Sequence, residues 1–387
     1  ERIYENATGY AKGAYVQKDS PYHNYFKFYK ESAWPYNASY DGWWGHDTLP
    51  KLNYEQSEEL CNYIYHIGQK WVSPPYNADG WRLDVAADLG HTEEFNHKFW
   101  RGFRDAVKKV NPDAVILAEH YGDATSWLRG DQWDTIMNYD AFMEPVSYYL
   151  TGMEKHSDRF DKDALGDGKR FEMLMRHGMA QFLTPSLHCS MNQLSNHDHS
   201  RFLTRTNHII GRVAELGSAK AGEGVNISIF KEAALLQMTW PGAPTLYYGD
   251  EAGVVGFTDP DNRRTFPWGS ADYGLIDYHR DLIFMHRINA ALRKGSFIFL
   301  ETGNYFISYA RFLLDQQMIV AINSSDKEMT QKISAWKAEM PLRCTIQQIL
   351  ITNELGYSIM PVNHVVENGV LELTLKPYTA MVLRHDN

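Results

Sequence analysis

Two hydrophobic periods alternate along residues 54–295 of the chain. Over residues 54–72 apolar side chains return with helical spacing, which puts Leu60, Ile64, Ile67 and Trp71 on one face. Over residues 78–86 the pattern is that of a short buried strand, with Trp81, Leu83 and Val85 alternating with Arg82, Asp84 and Ala86. Helical spacing resumes over 95–110, with Phe99, Phe103, Ala106 and Val110 inward, until Asn111-Pro112-Asp113 stops it. Further strands are predicted at 115–119, 135–139, within 191–198 and at 245–248, the last after the turn Pro241-Gly242-Ala243-Pro244. Helices are predicted at 171–182, 229–239 and 278–292. From Phe297 onward the pattern becomes short β-branched and aromatic runs between turns, at 305–311, 317–323, 370–375 and 380–383, which predicts an antiparallel β domain. Residues 1–53 are rich in Tyr, Trp, Asn and Gly and have little periodicity, so they read as loops.

Three of the predicted strands carry acids of interest. Arg82 and Asp84 are two apart and leave the same face of their strand. A carboxylate pinned beside a guanidinium is what a glycosidase needs as a nucleophile. Such a pair alone is more often a structural ion pair. Two other apolar runs, however, also end on acids: Val115-Ile116-Leu117-Ala118-Glu119, and the run through Leu194-Ser195-Asn196-His197-Asp198. In a β/α barrel the catalytic groups sit at the C-terminal ends of strands, and helical segments separate these three runs.

Gly80-Trp81-Arg82-Leu83-Asp84, Leu117-Ala118-Glu119 and Ser195-Asn196-His197-Asp198 resemble, in order and spacing, three signature regions of the α-amylase family of glycoside hydrolases. The resemblance implies Asp84 as nucleophile, Glu119 as general acid/base and Asp198 as the acid that binds sugar hydroxyls and stabilises the transition state. Arg82 and His197 match supporting residues of the same subsite; simply holding the acids in place is the competing role for both. Leu49-Pro50-Lys51-Leu52-Asn53 and the polar loop at 249–264 resemble the neopullulanase, cyclomaltodextrinase and amylopullulanase branch. Within that loop Asp259 and Arg263 are binding candidates, with a loop-stabilising Asp/Arg pair as the equal alternative. Where that branch follows the nucleophile with Val-Ala-Asn-Glu, this chain has Val85-Ala86-Ala87-Asp88, and where Glu-x-Trp is common it has Glu119-His120-Tyr121.

The fold implied is α/β: the C-terminal five strands of a (β/α)8 TIM barrel followed by a C-terminal antiparallel β-sandwich. Residues 1–53 would be part of domain B, 54–295 would run from barrel helix 3 to helix 8, and 296–387 would form the sandwich. The family's Asp-x-x-x-x-Asn-His signature is not found. The first three strands are therefore expected on another chain or fragment, an N-terminal piece that completes the barrel. The activity implied is hydrolysis of α-1,4-glucans such as starch, maltooligosaccharides, pullulan or cyclodextrins through a covalent glycosyl-enzyme. The alternatives are a 4-α-glucanotransferase on the same fold and a non-catalytic carbohydrate-binding or transport-associated relative, against which the presence of all three acids argues.

Composition trims the list of partners. The net charge of -10 disfavours nucleic acid and anionic membranes but is indifferent to a neutral sugar polymer. Aromatic residues make up 14% of the chain, a share that a large core and rings stacking on sugar faces would together explain. The three cysteines, Cys61, Cys189 and Cys344, are far apart and exclude a disulfide framework. No C-x-x-C or H-E-x-x-H indicates zinc, and no apolar run approaches the length of a membrane span. The chemistry needs no cofactor; a structural calcium is compatible with the resemblance but has no assigned ligands. Glu1-Arg2-Ile3-Tyr4 does not read as a signal peptide or as a natural start. The expected location is outside the cell, with the cytoplasm as the alternative.

Overall fold

After an N-terminal stretch of loops, helix and strand alternate, and the last part of the chain is nearly all strand. The computed structural model describes Gly9 and residues 11–386; the opening Glu1-Arg2-Ile3-Tyr4 lies outside them. The described residues form two compact units, one running up to His120 and including Ala124–Ile136, the other made of Tyr121–Asp123 and everything from Met137 onward.

In the first unit three parallel strands, β1 (Gly80–Leu83), β2 (Val115–Ala118) and β3 (Thr135–Ile136), lie in the order β1-β2-β3. Gly80 opposes Val115 and Leu83 opposes Ala118. Helices Glu58–Trp71 and Glu93–Val110 are N-capped by Ser57 and Thr92, whose side chains accept from the Leu60 and Phe95 amides. The helices meet where Gly68 lets the Phe103 ring come close: a Cβ there would lie 2.7 Å from it. The Trp81 indole donates to the Gly68 carbonyl at 3.0 Å and so ties β1 to the first helix. Asp134, just before β3, accepts from Arg104, Lys108 and the Ile116 amide at 2.7, 3.0 and 2.9 Å. Burial opposes its charge, but these donors hold its carboxyl below the usual range. The N-terminal part is loop and short turns around an aromatic cluster seeded by Ala14 and Phe26.

β1 departs from the expected buried strand. Only Leu83 in it is buried, Arg82 and Asp84 are exposed, and among the described residues no strand pairs with its other edge. The strand also stops at Leu83 rather than reaching residue 86, because Val85 is left-handed, with φ 46°.

In the second unit β4 (Met191–Gln193) pairs in parallel with β5 (Ala243–Thr245), and Met137 bridges to Met191. The last parallel strand thus falls earlier than residues 245–248. Pro244 opposes Asn192 within it, which is tolerated because β4 is the only described neighbour of β5. Tyr247 and Tyr248 leave the ladder because Arg201 claims them: its guanidinium takes the Tyr248 carbonyl at 2.6 Å and stacks 4.0 Å from the Tyr247 ring centre. Helix Ile227–Thr239 is buried from Ser228 to its end. The helix expected at 278–292 is instead Tyr273–Ile288 followed by Ala290–Lys294; the break is at buried Asn289, whose amide turns back to the Met285 carbonyl at 2.7 Å.

The C-terminal strands are β6 (Ser296–Gly303), β7 (Phe306–Leu313), β8 (Gln316–Asn323), β9 (Met329–Ile333), β10 (Cys344–Asn353), β11 (Gly356–Ser358), β12 (Val362–Glu367), β13 (Val370–Leu375) and β14 (Thr379–Asp386). All their pairings are antiparallel, in the order β6-β7-β8-β14-β10-β12-β13-β9 with β11 beside β10. The expected two-sheet sandwich is therefore one continuous sheet. Register shifts near Phe299 and Gln348 bend it around its own core. Along β8, Met318, Val320 and Ile322 join the core of helix Ile227–Thr239, while Ile319 and Ala321 face the sheet's own core. Among the described residues no helix is long and apolar enough to cross a membrane.

Candidate active site

The first unit assembles three of the candidate residues. The β1–β2 register puts Arg82 opposite Leu117, and the Glu119 amide continues the ladder by donating to the Leu83 carbonyl at 2.8 Å. The Arg82 guanidinium then reaches both acids. One Nη hydrogen-bonds Asp84, and the other lies 3.1 Å from Glu119. The two carboxylates differ in exposure: the Asp84 side chain is 75% exposed and the Glu119 side chain 13%. Val85 adds a third link, its amide donating to Glu119 at 3.1 Å.

Sequence reading missed the residue that fixes the turn after Asp84. Buried Asn96 donates to the carbonyls of Ala86, Ala87 and Leu89 at 2.9, 3.0 and 2.9 Å and accepts from the Trp127 indole. Its signal was a polar side chain three residues before Phe99, on the inward face of an amphipathic helix.

The second unit gathers the other four. His197 Nε2 lies 3.6 Å from Asp198, and Arg263 lies 3.9 Å from Asp198 while donating to the His197 carbonyl at 3.1 Å. Asp259 pairs with Arg263 at 2.6 Å, the contact that the loop-stabilising alternative requires. The backbone here is pinned from beneath. Asn196 accepts from the amides of Asp198 and His199, each at 3.0 Å, and Asn262 donates to the Asn196 and His199 carbonyls.

Arg201 and Asp250, not singled out in the sequence, form a buried pair at 2.9 Å below this loop. Burial pushes the Asp250 carboxyl up, outweighing Arg201. His199 is buried against Tyr121, whose hydroxyl meets its Nε2 at 3.1 Å, and Tyr121 stacks on Tyr139 with centroids 4.1 Å apart. Among the described residues no cluster of three or more His, Cys, Asp or Glu is arranged to hold a metal ion.

The α-amylase catalytic domain matches residues 7–339. The chain belongs to the α-amylase family. It is 34% identical to neopullulanase 2 of Thermoactinomyces vulgaris over 342 residues, covering 87% of this chain and 50% of that protein. It is 32% identical to cyclomaltodextrinase of Thermoanaerobacter pseudethanolicus over 321 residues, covering 80% of this chain and 48% of that one. Among solved structures of the family's fold, the debranching enzyme from Nostoc punctiforme aligns with a TM-score of 0.76 at 27% identity, covering 96% of this chain and 71% of that one. The chain thus spans half or less of the length of these two curated relatives.

Proposed function

We propose that the protein hydrolyses α-1,4-glucans, with neopullulanase- and cyclomaltodextrinase-type substrates, by double displacement with retention. Asp84 attacks the anomeric carbon while Glu119 protonates the departing oxygen. Water, activated by Glu119 as base, then breaks the glycosyl ester. Asp198, with His197 beside it, binds hydroxyls of the distorted sugar, and Asp259 and Arg263 contact the chain further along. The observation that carries this reading is the Arg82 guanidinium bonded to both Asp84 and Glu119, so that one cation fixes the spacing of nucleophile and acid. Their exposure differs, Asp84 lying open while Glu119 is sheltered. The open edge of β1 supports a further part of the proposal, that strands from outside these residues complete the barrel.

The test is turnover of starch, pullulan and cyclodextrin by the completed enzyme and by its Asp84→Asn variant. This change keeps shape but removes the nucleophile, so loss of at least about 10³-fold in kcat is expected with binding retained. A variant keeping more than a small fraction of wild-type rate would reject Asp84 as nucleophile.

A further inference from the structure

We propose that Trp43 and Trp44 form a stacking platform for a glucose unit of the substrate chain, held in place by Asp88; this rests on the α-glucan reading above. Both residues sit in a tight reversal, where Gly42 bridges to Pro50, the Trp43 amide donates to the Leu49 carbonyl at 2.8 Å and the His46 amide to the Trp43 carbonyl at 3.0 Å. Gly42 is required, since a Cβ would fall 2.2 Å from the His46 carbonyl oxygen. Trp44 is left-handed, with φ 51°, and is 80% exposed, while Trp43 is 36% exposed. A bulky residue at positive φ is disfavoured, and an open indole gains nothing from burial, so the chain carries two unfavourable features at one position.

Asp88 explains how the pair is oriented. Both indole N–H groups converge on its Oδ2, at 3.3 and 3.4 Å, and the rings stand edge to face with centroids 6.0 Å apart. Polar edges are thereby satisfied while apolar ring surface stays open. Asp88 lies four residues beyond Asp84, at the end of the turn that Asn96 clamps by three backbone carbonyls. The platform is therefore tied to the nucleophile through a short, rigid path. A pyranose presents a flat C–H face that packs on an indole and a rim of hydroxyls that a carboxylate accepts from. A neutral glucan chain fits this combination of open ring and acid.

The test is kcat/KM of the completed enzyme across maltotriose to maltoheptaose. In Trp44→Ala the ratio of the longest to the shortest substrate is expected to fall roughly tenfold, and Trp44→Phe should keep most of it. Asp88→Ala should lower the same ratio, because the rings lose their orientation. Trp43→Ala supplies an independent variant should the first lower the melting temperature. Rates that fall equally at all lengths, or not at all, overturn the platform and leave the glucan reading standing. If the wild-type enzyme cleaves none of the series, that reading has failed. Tryptophan-fluorescence quenching by maltoheptaose then decides the platform: quenching lost in Trp44→Ala supports it, and quenching absent from wild type or unchanged in the variant overturns it.

Discussion

Val85 is a β-branched residue held at φ 46° and ψ 41°, a conformation that costs on the order of 1–3 kcal/mol. It persists because its amide meets Glu119 and the carbonyls of Ala86, Ala87 and Leu89 are held by Asn96. His199 gives the residue scale its pH dependence. Burial, and then the positive field of His156, Arg205, Lys155 and His197, pushes its imidazole down to about 2. Between that value and the unfolded one of about 6.5, the unfolded chain holds the proton and the folded chain does not. The stability His199 contributes is therefore full above about pH 6.5 and is lost as pH falls toward 2, by at most about 1.4 kcal/mol per pH unit. Urea titrations between about pH 7 and 4 should show a shallower loss for His199→Gln than for wild type; equal slopes would contradict this assignment. The candidate acids stood out in the sequence because each ends an apolar run. Arg201 and Asp250 did not, because they pair as buried charges from distant positions and no local period marks that work, while Asn96 left only a polar residue on the inward face of its helix.

At the scale of elements, the β1–β2 pairing carries the site. A Cβ on Gly80 would lie 2.1 Å from the Val115 carbonyl oxygen, a backbone atom that cannot step aside. Gly80→Ala should therefore destabilise by about 1–3 kcal/mol and reduce activity beyond what its stability loss explains, since Arg82 and Glu119 share that register. Thermal melts with residual activity measured well below the transition check this; a neutral variant would show that the strands part without consequence. Element types were legible from period alone, whereas ends were not. β5 falls two residues early and contains a proline because a cation-stacked Tyr247 and the Arg201–Tyr248 bond cut the ladder short. The sheet that read as a sandwich is continuous because bulges, which carry no hydrophobic signal, bend it.

At the scale of the molecule, β1 leaves a parallel edge without a described partner beside an exposed Arg82 and Asp84. Such an edge favours association with other strands. Residues 1–387 expressed alone are expected to aggregate or lack activity, and co-expression with a segment supplying strands to pair with β1 should give a soluble, active complex. A monodisperse and fully active chain by itself would show that the edge needs no cover. The central claim is that Asp84 forms a covalent bond to the sugar. Incubating the completed enzyme with a fluorinated α-glycosyl fluoride that forms the ester quickly and hydrolyses it slowly, followed by peptide mass spectrometry, tests it directly. The account predicts one glycosyl adduct, on Asp84. An adduct on another residue, or active enzyme releasing inverted product with no adduct, would contradict it.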